Sequence, residues 1–175
     1  MATFGETTGS GDSAGQTISA GSKYGTYYVM PNPGSVLSIS AWLRGVIAPS
    51  GLAIIYNYSP GSELLGSTAP QKITVSASFS QYTFNFDNPP GLTAGSYVLA
   101  IFSDNSIREG TYGTSATNRS DYRQNVNLFP SPDDSWLGGS PNFTTDTRGA
   151  IYATYDSFAP IDYSGLFSDS LSFFF

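Results

Sequence analysis

Acid–base work by paired carboxylates is the chemistry this chain could mount most easily, because its 175 residues include 13 acids but no histidine and no cysteine. A glycoside hydrolase needs only two carboxyl groups at a suitable separation, one to deliver a proton and one to attack or to activate water. Just three of the acids are glutamates, Glu6, Glu63 and Glu109, and none stands in a distinctive motif. Without His or Cys, a Ser-His-Asp triad, a thiol nucleophile, a disulfide and a Cys/His zinc site are all excluded. The chain is read as non-enzymatic.

Other residues offer binding rather than catalysis. Asp133 and Asp134, with Asp104 and Asn105, have the oxygen chemistry of calcium ligands. Their spacing fits no EF-hand loop and Asx residues are ordinary turn formers, so neither a metal nor a cofactor is expected. Trp136, Tyr112 and Tyr122 could offer flat apolar faces to a sugar ring, the alternative being that they pack loops. The seven basic residues are scattered singly from Lys23 to Arg148 in a chain of net charge −6. No footprint for a phosphate backbone results, and nucleic acid is not an expected partner.

Stepping through the elements that must hold these residues, the clearest is Tyr97–Phe102, six apolar or aromatic residues between Gly95-Ser96 and Ser103-Asp104-Asn105. Its length and its turn-forming flanks predict a buried central strand. Further strands are predicted at 23–30, at 52–58, at 71–78 and 81–86, and over 149–155. In 36–44, Leu37, Ile39, Ala41 and Leu43 alternate with Ser38, Ser40, Trp42 and Arg44, which predicts a half-buried strand with one inner face. Weaker signals fall at 107–112 and 121–129. Pro31-Asn32-Pro33-Gly34, Ser59-Pro60-Gly61 and Asn88-Pro89-Pro90-Gly91 are turn chemistry. Closely spaced strands without capped helical patterns predict an all-β antiparallel sandwich or barrel in a single domain.

The succession of "FGETTGSG", "GSVLSISAWLRG", "LAIIYNYSPGSELLGST", "LTAGSYVLAIFSD", a Pro/Asp-rich loop and "GAIYATYD" resembles the jelly-roll β-sandwich modules of bacterial and archaeal surface proteins and of phage virion proteins, over roughly residues 4 to 156. The resemblance implies a jelly-roll-like sandwich with a binding, decorating or spacing role. It transfers no catalytic residue.

Three segments follow. Residues 1–22, rich in Gly, Ser and Thr, read as an extended N-terminal arm with at most one edge strand, either a flexible leader or an arm that pairs with a neighbouring subunit, residues 23–156 as the sandwich, and residues 157–175 as an aromatic tail. The tail carries Phe158, Ile161, Tyr163, Leu166, Phe167, Leu171, Phe173, Phe174 and Phe175. Burying one large apolar side chain stabilises by about 1.5–3 kcal/mol, so the tail is expected to dock on its own sandwich, a neighbouring subunit or a carrier. The first residues lack a basic and an apolar signal region, and no run of about 18 apolar residues suggests membrane insertion. A surface-type composition then implies either a signal removed beforehand or assembly into a particle such as a phage virion, which Met1 followed by small residues favours. The expectation is a structural protein of a virion surface, or alternatively of a cell surface, partnered by like chains and other structural proteins and, in the alternative reading, by glycans.

Overall fold

The six-residue apolar run lies within β10 (Gly95–Ser103), the middle strand of one sheet. The computed structural model describes residues 1–8, 15–58, 62–112, 120–124 (backbone only), 128–136 and 148–158. β10 pairs with β3 (Ser22–Met30) from Gly95↔Met30 to Ser103↔Ser22, and on its other side with β5 (Ser50–Asn57). The edges are β13 (Ser120–Gln124) beside β3, and β6 (Leu64–Ser67) and β7 (Gln71–Lys72) beside β5.

A second sheet is organised on β4 (Gly34–Gly45), the longest strand. One side of β4 takes β15 (Ile151–Ser157) and, further along, β11 (Ile107–Glu109); the other takes β8 (Ser80–Asn85) and β9 (Gly91–Leu92). β1 (Ala2–Gly5) extends this sheet beyond β15, and β2 (Gln16–Ile18) beyond β11. A small third ladder joins β12 (Thr111–Tyr112) to β14 (Arg148–Gly149). All ladders between these strands are antiparallel and the two large sheets pack face to face: the chain is an all-β sandwich.

Two apolar clusters explain the unbroken hydrophobicity of β10. Tyr97, Leu99 and Ile101 point between the sheets, where they meet Ile39, Ala41, Leu43, Ala153 and Tyr155. Val98, Ala100 and Phe102 point the opposite way and would face water if nothing covered them. Instead they pack with Leu52, Ile54 and Tyr56 under Trp136, with Phe129 beside them. A strand buried on both faces cannot show period-two alternation.

The structure revises several sequence expectations. The N-terminal segment supplies two edge strands, β1 and β2, where at most one was expected, and both are anchored in the core: Phe4 packs against Tyr97 and Tyr155, and Ile18 is fully buried; residues 9–14 lie outside the described residues. In β4 the regular alternation fails at Leu37, which is only half-buried, while Val36 joins the core. Ser38 pairs with Thr154 but Val36 with the next residue, Tyr155, so Leu37 is the extra residue of a β-bulge and the inward face shifts by one. The strand expected over 71–78 stops at Lys72 as a regular element; beyond it Val75 makes one bridge to Gly45. Of the strand expected over 121–129, Ser120–Gln124 is formed, and Leu128 is exposed in the loop that follows.

Candidate functional site

Trp136 is fully buried, which removes it from any sugar-binding platform. Its indole stands edge-on to Tyr56 at 5.4 Å and lies over Gly25, where an added Cβ would come within 2.8 Å of it. Glycine at 25 is thus the floor that lets the indole reach the outer face of β10. The loop-packing alternative describes Trp136. Of its proposed companions, Tyr112 is half-buried under the Arg148 guanidinium, 5.5 Å from its ring centre, and the Tyr122 side chain lies outside the described residues.

The same loop contains Asp133, but a cation of the protein already occupies its neighbourhood. Lys23 is wholly buried, with its Nζ 3.4 Å from Asp133 Oδ2; it donates to Tyr56 Oη (3.2 Å) and to the Ser135 carbonyl (3.3 Å) and sits 4.9 Å from the Tyr56 ring centre. Tyr56 in turn donates to the Asp133 carbonyl. Burial first, then the charges of Asp133 and Asp134, hold the Tyr56 hydroxyl well above its ordinary pKa, so it stays a donor. Asp104 accepts from the Ser50 N–H and does not join this group. No cluster of three or more metal-ligating side chains occurs among the described residues.

Two of the three glutamates do come together. Glu6 pairs with Arg148 at 2.8 Å and accepts from Thr8, while Glu109 is fully buried and neither of its oxygens meets a donor among the described residues. Both carboxyls raise the Tyr28 hydroxyl's pKa, with burial the larger cause, and that hydroxyl donates to the Gly149 carbonyl at 2.7 Å. Gly149 lies so close to Glu109 Oε1 that no side chain fits there, and its N–H donates to Thr26 Oγ1. Burial alone pushes the Glu109 carboxyl well above the usual carboxylate range. It has no opening to solvent, so its proton is available to no outside substrate. Glu63 lies apart, at the β5–β6 turn.

Among the described residues, exposed apolar side chains gather at the two ends of β4. At its Gly34 end the chain leaves β15: the Phe158 N–H donates to the Pro33 carbonyl, and the Phe158 ring is 52% exposed beside Gly91. The rest of the tail, Ile161, Tyr163, Leu166, Phe167, Leu171, Phe173, Phe174 and Phe175, lies outside the described residues. At the Gly45 end three β-branched residues, Val46 (46%), Ile47 (59%) and Val75 (55%), stand exposed. Two open grooves, of about 310 and 340 Å³, meet there at Val75; Lys72 lines one, Arg44 and Arg108 the other. Ala48 follows Ile47 with a φ of 34°, a left-handed conformation uncommon outside glycine.

Sequence reading overlooked this end because its residues come from the β4–β5 turn, the 73–76 segment and β11, which are not adjacent in the chain. The one available signal was Val46-Ile47, a β-branched pair directly before the Ala48-Pro49-Ser50-Gly51 turn. Fold and surface together define an all-β sandwich with a sealed interior and apolar ends. No protein-family model matches the chain, and no curated protein matches it.

Proposed function

We propose that this chain is a non-enzymatic structural protein, a β-sandwich that assembles into or decorates a particle surface, most plausibly a phage virion, and attaches through its ends. The observation that carries this reading is Phe158, 52% exposed beside Gly91 where the chain leaves β15, because the strongly apolar segment 159–175 continues from it. So much apolar surface left in water would be a liability, and the surface of a neighbour would cover it.

Light scattering on the full-length protein and on a chain ending at Phe158 tests it. Full-length protein is expected to form assemblies and the shortened chain to be monomeric. Full-length protein that stays monomeric at high concentration, alone and mixed with candidate particle proteins, would sink the reading.

Glycan binding remains the second reading, now resting on Tyr27 and Tyr58, whose rings stack at 4.5 Å with Tyr58 38% exposed. Tyr58→Ala should abolish any glycan affinity measured on an array if that pair is the platform.

A further inference from the structure

We propose that the apolar, basic groove at the Gly45 end of β4 is the seat for the 159–175 tail of a second copy of this chain, so that copies join head to tail. The inference rests on the reading of the tail as an attachment element and adds what it attaches to.

Three features support it. The first is charge. The chain carries −6 overall, yet three of its seven basic residues, Arg44, Lys72 and Arg108, line these grooves. Asp104 is also at this end, its carboxylate engaged by the Ser50 N–H. The tail is the complement: residues 159–175 contain Asp162 and Asp169 and no basic residue. The second is apolar character, because Val46, Ile47 and Val75 form an exposed apolar rim, and the tail is rich in large apolar side chains suited to cover it.

The third is placement. The tail leaves at the Gly34 end and the grooves lie at the Gly45 end, so about 40 Å of strand separates them at ~3.4 Å per residue. A tail reaching its own groove would spend about 12 residues crossing that distance fully extended, leaving only residues 171–175 to enter the grooves and Ile161 to Phe167 outside them. In a neighbour stacked end to end no part of the tail is spent on that crossing, and Ile161 to Phe167 come within reach of the grooves. A contact between opposite ends of identical subunits is heterologous and propagates into rings or filaments, as an assembly element of a particle requires.

The absence of native cysteine gives a clean test on full-length chains. A Val75→Cys chain is mixed with a Phe167→Cys chain and oxidised, beside a control pair in which Val29→Cys, an exposed position on the face of β3, replaces Val75→Cys. Expected is a disulfide-linked heterodimer that is several times more abundant with Val75→Cys than with the control and that is lost when Lys72→Glu is added. Lys72 is exposed on the two-residue edge strand β7, so this change should leave folding intact. Equal crosslinking at both positions overturns the proposal. So does a crosslink that forms only within single chains carrying both substitutions, which would place the tail in its own groove. Assemblies seen by light scattering without the Val75→Cys crosslink overturn the groove while leaving the structural reading intact. Capture of the protein by anionic phosphatidylserine vesicles that is lost with Val75→Asp, without the crosslink, would make this face a membrane surface and overturn it as well.

Discussion

Glu109, one of three glutamates that no motif singles out, owes its character to its surroundings in the fold. A carboxyl sealed among β11, Thr26 and Gly149 without a donor is held neutral, because ionising it there carries the full cost of desolvation. The sign follows from linkage: its pKa is raised in the folded state, so the stability it allows is present below the ordinary carboxylate pKa and is lost as pH rises through the folded value. Urea midpoints measured from about pH 4 to pH 9 should therefore fall with rising pH in the native protein, and fall less in Glu109→Gln, whose amide does not titrate. A native profile as flat as the variant's would show that Glu109 is solvated. Lys23 is the opposite case, a buried charge with a partner. Lys23→Met alone should destabilise by roughly 3–5 kcal/mol because Asp133 is left charged and buried, and Lys23→Met with Asp133→Asn should recover much of that loss. A denaturation double-mutant cycle reads the difference, and additive losses would mean that the pair is not coupled.

At the scale of elements, the instructive piece is the loop that ends in Trp136. β10 could be recognised as central from its composition, since six apolar residues between turn formers have few other homes. The composition does not say what covers its outer face. Its main cover is the Trp136 indole, admitted by Gly25 and Ala100 and flanked by Lys23 and Tyr56, with Phe129 beside it over Phe102. Trp136→Ala should cost about 3–5 kcal/mol, the range for emptying a large aromatic site in a core, and should leave any glycan affinity unchanged. Loss of glycan binding with native stability would restore the platform reading. The β4 bulge makes a related point, because alternation in the sequence is regular through Leu37 and only the partner strand shows which residue is skipped.

The whole molecule is built almost entirely from distant pairings: among the described residues β5–β6 is the single ladder between consecutive strands. Strands β3, β4 and β5 alternate between the sheets, so neither sheet can close before the chain has crossed over, and the described core clusters run from Phe4 to Tyr155; on the proposed reading the tail packs on a neighbour and adds nothing to them. The shortened chain used to test assembly should therefore keep the melting temperature of the full-length protein within about 4 °C, the shift that ~1 kcal/mol produces in a domain of this size. A much larger drop would show that the tail packs on its own sandwich and is part of the core.

Turn chemistry, the apolar run of β10 and the alternation in β4 were enough for an all-β antiparallel architecture, because those patterns depend on neighbours two to six residues apart. The missing histidine and cysteine excluded whole reaction classes by composition alone. Tertiary structure decided everything that depends on contacts between distant residues. Examples are the burial of Trp136 over Gly25, the pairing of Lys23 with Asp133, the sealing of Glu109 beside Gly149, the inclusion of the first strands in the sheet, and the gathering of Val46, Ile47, Val75 and three basic residues at one end. A side chain's type states what it can do. Whether water, a partner or another side chain reaches it depends on where strands far apart in the chain are brought together.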